Sequence, residues 1–469
     1  MAAPREGASA MDRRRSGGHV MANIAAPRPE TETIGFGKRW AHILPSVFIV
    51  YTISYLDRVN IGTALPAISK EFGLNPTEAG FVGGVFFWGY LVSFLMGGWL
   101  SNRFGAKRVT LASLVAWSLA AMATGFTTSL ASLLVMRALL GLAEGPIWSS
   151  MSAILAQWFV KPERARAFAT WNASLPVGAL LSGPISGLII SHYSWQTMLV
   201  VEGLPALIYA LVWSRFIPDT PDEAAWLEPA ERAALADGLA REQAQFDASL
   251  GPVDLRGVLL HPGVWLLLVA KTFNNMIAYG FTLWLPTAIK DASALGIGSV
   301  GVLTALPYAA SVLGIWLIGL SSDRFNERRL HGAIPMLLLA ALLYASSRTG
   351  AGSVAAMMVC VTLSGFFMFM TLPLMTVMFT QLLPRRQAIV AIAFSGAVAN
   401  LVGGFFGPVV VGWLKTMTGD VSAGFTFLAA IGLIGGLLMM MVRTPEHAPG
   451  AVAPAPPAGI GGAPSVGRE

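Results

Sequence analysis

Apolar stretches of roughly 20 residues alternate with short polar loops along most of this chain. A helix needs about 20 apolar residues to cross ~30 Å of hydrocarbon, so each stretch predicts a membrane span. Their cores are 41–63, 80–100, 109–128, 130–155, 165–190 and 198–216, then 263–289, 298–320, 334–347, 354–383, 388–414 and 424–442. The predicted fold class is an all-α membrane protein with twelve transmembrane helices in two six-helix halves, 39–216 and 262–443. The polar gap at 217–261 predicts a cytoplasmic loop carrying a surface helix. There Thr220, Pro221, Asp222 and Glu223 form a capping-box pattern with Pro at the first helical position, and an Ala- and Glu-rich run follows. Residues 1–38 and 444–469 are predicted to be disordered cytoplasmic tails. The first is polar, with Arg13, Arg14 and Arg15 and no apolar leader segment behind them; the second is rich in Pro, Ala and Gly.

The two halves repeat. GWLSNRF at 98–104 closes the second span and GLSSDRF at 319–325 closes the eighth, 221 residues on, with four identities in seven positions. Gly183-Pro184 in the fifth span is echoed by Gly407-Pro408 in the eleventh. Pseudo-symmetric six-helix halves with a substrate site between them at mid-membrane are the logic of a secondary transporter; a receptor or membrane enzyme gives no reason for the duplication. With the N-terminus inside, inner loops hold Arg103, Lys107, Arg108, Lys161, Arg164, Arg166, Arg324, Arg328, Arg329, Arg385 and Arg386, whereas outer loops hold Lys70, Lys290, Arg348 and Lys415. This asymmetry predicts a multi-pass inner-membrane protein with both termini cytoplasmic.

Composition agrees with a lipid environment: 55% of residues are hydrophobic and 12% charged, against about 25% charged in soluble domains. The formal charge of +6 resides in short loops, so it signals topology and no nucleic-acid partner. Cys360 is the sole cysteine and the six histidines are dispersed, which leaves no thiolate metal cluster or disulfide framework. Neither a GxxxxGK[ST] phosphate loop nor an HExxH pair is present, so the sequence offers no ATP, metal or other cofactor site.

Charges inside spans are costly and usually face a cavity and a partner. Asp57 and Arg58 lie in the first span, about 100° apart on the helix, so one can face the cavity while the other braces a neighbour. Arg137 and Glu144 lie in the fourth, nearly two turns apart on one stripe, beside Gly141 and Gly145, whose spacing admits a neighbouring backbone. Arginine offers a charged fork that fits a carboxylate, and a desolvated carboxyl can exchange protons near neutrality. Together they read as an anion site with a proton site; the competing reading is a pair of structural salt bridges. Lys271 in the seventh span reads as snorkelling to the interface, and Glu202 in the sixth as structural. Asn274 and Asn275 suit either a polar substrate or another helix. Of the aromatic residues, Tyr55 and Tyr90 are the better site candidates, since a buried hydroxyl needs a partner.

Residues 98–108 resemble the cytoplasmic signature of the major facilitator superfamily, G-x-L-x-D-R-x-G-R/K-R/K. YLDRVN at 55–60, Pro66, Gly73-Leu74, WGY at 88–90, RALLGLAEGP at 137–146, WLP at 284–286 and NLVGG at 400–404 resemble, more narrowly, its anion:cation symporter family. The resemblance covers nearly everything between the tails. It implies a monomeric, proton-driven importer of organic anions such as sugar acids, tartrate or phthalate. By that resemblance Asp57 and Glu144 are the proton-coupling carboxylates, Arg58 meets the substrate acid, and Arg137 couples protonation to substrate. Tyr55, Tyr90 and Asn400 line the substrate site. Gly98, Asn102, Arg103, Gly105, Arg108, Asp323 and Arg324 form the conformational signature. Asn102 stands where the family has Asp, which weakens a charge latch of the outward-facing state. Leu175-Pro176 replaces a polar amide of sugar-acid carriers, which points to a smaller or more apolar acid. Two rivals share the fold: a proton-coupled exporter, suggested by the glycines at 178–187, and a transport-inactive sensor.

Overall fold

A computed structural model describes residues 37–248, 255–325, 327–349 and 353–443; the tails at 1–36 and 444–469 lie outside them. The described chain is helical, with twelve long helical spans. Spans 1 to 6 are Lys38–Phe72, Pro76–Phe104, Ala106–Thr124, Leu130–Trp158, Lys161–His192 and Trp195–Phe216. Spans 7 to 12 are Pro262–Ala292, Ile297–Phe325, Arg329–Arg348, Val354–Leu382, Arg386–Thr418 and Ser422–Met441. Among the described residues nine helices pass a simple length-and-apolarity criterion for crossing a membrane; spans 1, 3 and 7 fall outside it. Spans 1 and 7 miss for an instructive reason, because they bury Asp57, Arg58, Asn60, Lys271, Asn274 and Asn275 within the bundle. Large apolar side chains such as Leu95, Trp99, Leu211 and Trp316 point outward, 60–71% exposed, a surface compatible with lipid and not with water. Most helices run past their apolar cores, furthest at span 1, which extends from 41–63 to Lys38–Phe72, while span 9 gains Arg329 and His331.

Several spans are broken, each at a recognisable point. Span 4 breaks at Gly145, where Pro146 opens the next segment and supplies no backbone donor to continue the ladder. Span 11 passes through a π-helical turn at Ala399–Gly403, the kind of local widening that frequently marks functional sites.

The halves are sealed on the face away from the described termini. Span 2 packs on span 11, where a Cβ on Gly80 would stand 2.6 Å from the Pro408 carbonyl and one on Gly84 2.9 Å from the Phe405 carbonyl. Thr77 and Thr416 hydrogen-bond there at 2.9 Å. Span 5 packs on span 8 through Gly183, Gly187 and Gly301, and span 1 meets span 7 where Gly62 faces the Thr282 carbonyl. Nearer the termini face, the main contact between halves is span 2 against span 11, around Phe94 and Gly396.

The capping-box pattern at 220–223 does not start the loop helix. Pro221–Glu223 is a single 3-10 turn without a side-chain cap, and the helix begins at Pro229 and runs to Ala248. The turn instead brings Trp226 to stack on Trp158 and on His42. Ion pairs then fasten the helix to the first half. Arg39, fully buried, holds Glu163 at 2.6 Å, Glu231 at 3.0 Å and the Trp158 carbonyl at 3.1 Å. Arg164 holds Glu242 at 2.9 Å.

Candidate functional site

Span 1 divides its two adjacent charges between two neighbours, as their angular separation demands. Arg58 turns toward span 4 and gives two hydrogen bonds to Glu144 Oε2, Nη2 at 2.7 Å and Nε at 3.2 Å. Its guanidinium also lies over the rings of Tyr90 at 4.8 Å, Phe86 at 5.2 Å and Tyr55 at 5.8 Å. Asp57 turns toward span 3, where Trp117 Nε1 donates to its Oδ2 at 2.6 Å. Among the described residues, Oδ1 of Asp57 and Oε1 of Glu144 are buried without a hydrogen-bond partner.

Arg137 sits about two turns from the break in span 4 and is 2% exposed. Its Nε donates to the Val82 carbonyl at 3.3 Å, and its guanidinium lies 5.3 Å from the Phe86 ring centre. Among the described residues it has no carboxylate within ion-pair distance. It reaches its place because spans 2 and 4 pack backbone to backbone: a Cβ on Gly141 would stand 2.0 Å from the Phe86 carbonyl, and one on Gly89 1.9 Å from that of Ala138. Arg58 and Arg137 together line a small recess that also touches Phe87, Tyr279, Thr282 and Pro408. Two cations from the first half therefore face space bounded by the second.

The second half contributes a polar stripe on span 7. Lys271, Asn275 and Tyr279 are four residues apart and share one helix face. Asn275 Nδ2 and the Tyr279 hydroxyl both donate to Asn400 Oδ1 at 3.2 Å, and Asn400 lies in the π-helical turn. Tyr279 crosses to the first half, its ring 4.4 Å from that of Phe87. Lys271 does not snorkel. It is 7% exposed and its Nζ donates to Ser395 Oγ at 3.4 Å; the helix begins nine residues earlier, about 13 Å away at 1.5 Å per residue, and turns the amine inward. Asn274, on the next face, accepts from Thr371 at 2.8 Å and ties span 7 to span 10.

The structure thus groups Tyr55, Arg58, Tyr90, Arg137 and Glu144, faces Asn400 from the other half, and turns Asp57 away toward Trp117. Glu202 braces the bundle, accepting from Asn60 at 2.8 Å and Ser186 at 2.7 Å. Tyr279 and Trp117 were not singled out by sequence as site residues. For Tyr279 the four-residue spacing from Lys271 and Asn275 is the signal; for Trp117 the sequence holds none, since its contact with Asp57 exists only between spans.

The signature residues lie at the termini face. Gly98 has open space where a side chain would begin. Asn102, Arg103, Arg108 and Arg324 are exposed and make no side-chain hydrogen bond or ion pair among the described residues; the Asp323 side chain lies outside what is described. Gly105 has φ +88°, and a Cβ there would meet the Asp219 carboxylate at 2.5 Å. That carboxylate accepts from the Lys107 backbone N–H at 3.3 Å, at the start of span 3, so glycine allows both the turn and the cap.

A twelve-span bundle whose two halves enclose a cation-lined recess is a multi-pass membrane transporter. The chain belongs to the Major Facilitator Superfamily, whose profile matches residues 47–298 and 288–465. A putative tartrate transporter of Agrobacterium vitis is 30% identical over 411 residues, covering 85% of this chain and 89% of that protein. A quinolone resistance transporter of Acinetobacter baumannii is 29% identical over 411 residues, covering 85% and 93%. Among solved structures, a bacterial homologue of the human lysosomal transporter Spinster, inward-facing and occupied, superposes with a TM-score of 0.68 over 87% of this chain and 96% of that one. At 14% identity this likeness concerns the fold alone.

Proposed function

We propose that this protein imports a small organic anion across the inner membrane by proton symport, acting as a monomer with both termini in the cytoplasm. The observation that carries the reading is the buried Arg58–Glu144 pair beside Arg137 at the recess between the halves. A proton on Glu144 removes the negative partner of Arg58 and frees its fork for a substrate carboxylate. Arg137, already without a carboxylate partner, supplies the second contact. Tyr55, Tyr90 and Asn400 then orient the rest of the substrate. Asp57 serves as a second proton carrier, because its carboxyl is held by one neutral donor and can exchange a proton without breaking an ion pair. The basic inner loops set the termini inside, so the sealed face is periplasmic and the conformation is inward-facing. Transport follows when proton and anion together favour one state over the other, with the Gly98–Arg108 and Asp323–Arg324 signatures at the moving face. The tartrate-transporter relative supports a carboxylate as cargo.

The test is internal pH in proteoliposomes loaded with a trapped dye, with tartrate, hexuronates, aldonates, aldarates and aromatic carboxylates added outside one at a time. Acidification with one acid, lost in Arg137→Ala, is the expected result. The quinolone-resistance relative favours one alternative, a proton-coupled exporter. Alkalinisation on adding organic cations, with silence for every acid, would replace the importer with it.

A further inference from the structure

Lys271 is a buried ammonium that no acid neutralises among the described residues. Among the described residues its one polar contact is Ser395 Oγ at 3.4 Å, and no carboxylate lies within ion-pair distance. An ammonium has three donors, and leaving a charge buried with a single neutral acceptor is costly unless a ligand completes it. Its neighbours set it against the opposite half. Nζ is 3.9 Å from where a Cβ of Gly396 would begin, and that same point is 3.8 Å from the Phe94 ring of the opposite half. Phe94 stacks on Tyr90, and Tyr90 lies under Arg58. One aromatic wall therefore runs from the arginines of the first half to the lysine of the second.

We propose that Lys271 binds a second anionic group, so that the cargo is a dianion, a dicarboxylate held by arginine from one half and lysine from the other. This rests on the organic-anion reading above and narrows it. A dicarboxylate bridging both halves also draws them together, which a monocarboxylate held by Arg58 and Arg137 alone does not do.

The test compares matched pairs in which one carboxylate is replaced by a neutral amide: succinate with succinamate, tartrate with its monoamide, phthalate with phthalamate. Binding to the purified full chain is measured by calorimetry. Hydrogen bonds to charged groups are worth enough to give a dianion preference of about 10- to 100-fold in the wild type. Lys271→Gln is expected to bring the dianion down to the level of its amide while leaving the amide unchanged, and Lys271→Arg to restore most of the preference. An equal loss for both members of a pair, or a preference that survives Lys271→Gln, overturns the proposal. Binding of amides and diacids alike, dependent on Arg137 but without preference, overturns only the dianion. Failure of every acid to bind the wild type overturns the organic-anion reading and this one with it.

Discussion

Glu144→Gln separates binding from energy coupling. Glu144 Oε2 accepts two buried N–H bonds from Arg58, at 2.7 and 3.2 Å. Glutamine keeps an acceptor in that place but loses the charge, and charge-assisted bonds are roughly twice as strong as neutral ones. At about 1.5–3 kcal/mol for a hydrogen bond to a charged group, the two weakened bonds together cost about 1.5–3 kcal/mol. Arg58 remains over three aromatic rings, each contact worth about 0.5–2 kcal/mol, so the variant folds. Glu144→Ala strands the guanidinium altogether and costs about 3–5 kcal/mol. In transport terms, glutamine is a permanently protonated Glu144. Each proton carried down one pH unit is worth about 1.4 kcal/mol, a tenfold accumulation of cargo. Proteoliposomes clamped in voltage, with imposed pH gradients, give the slope of accumulation against gradient. The slope is expected to fall by one tenfold step per pH unit in Glu144→Gln, while exchange of labelled for unlabelled substrate continues. A wild-type slope in this variant would refute Glu144 as a proton carrier.

Three further outcomes are expected. Gly301→Leu and Gly80→Leu place a side chain 2.3 Å and 2.6 Å from the backbone carbonyls of Gly183 and Pro408; overpacking costs about 1–3 kcal/mol. Because that cost falls on the sealed state alone, both variants should shift the protein toward opening on that face, read as faster thiol labelling of a cysteine placed there and slower transport; unchanged labelling would sink the idea. Arg39→Ala leaves Glu163 buried without its cation and should lower stability by about 3–5 kcal/mol, read as thermal unfolding in detergent, with earlier proteolysis in the 217–261 loop. Asp420, in the loop before span 12, accepts from the Ser422 hydroxyl and backbone N–H, which hold its carboxyl below the ordinary 3.8. Its contribution is therefore complete above pH 3.8 and lost as pH falls through the depressed value. Solvent screening limits it to about 0.5 kcal/mol, so unfolding curves of wild type and Asp420→Ala should differ slightly at neutral pH and converge once pH falls below the depressed value.

The spans were legible because lipid imposes one rule, a run of apolar residues long enough to cross. The same rule picked out Asp57, Arg58, Arg137 and Glu144 as charges that must be accommodated inside. What the rule does not carry is the rotation of one helix against another. It left open whether Arg58 would meet Glu144, Asp57 or a substrate, and it gave Asp57 no link to Trp117, 60 residues away. Lys271 was misjudged on depth alone. Its stripe with Asn275 and Tyr279 was visible at four-residue spacing, but an inward stripe and an outward one have the same period. The 220–223 pattern misled for a local reason: a capping box needs a helix after it, and here Trp226 packing on Trp158 ends the turn first. The π-helical turn around Asn400 had no signature beyond two adjacent glycines.

The repeated Gly-Pro pairs admit a reading that needs no exporter. Gly183-Pro184 and Gly407-Pro408 belong to corresponding spans, 5 and 11, and Gly183 and the Pro408 carbonyl face Gly301 and Gly80, in corresponding spans 8 and 2, 221 residues apart. At one seam between the halves, Gly183 lets span 5 meet Gly301 backbone to backbone; at the other, the Pro408 carbonyl meets Gly80. The Pro408 carbonyl also accepts from Trp284 Nε1 at 2.9 Å, which ties that seam to span 7, the helix carrying Lys271 and Tyr279. Small residues on both sides let carbonyls and Cα atoms touch across the halves without interlocking side chains, and such a seam can part and reseal without repacking either core. Symmetry duplicates the seam, so the motif appears twice. An antiporter signature would have no cause to recur in the second half at the same seam. The glycines at 178–187 therefore describe how the sealed face closes and carry no information about the direction of transport.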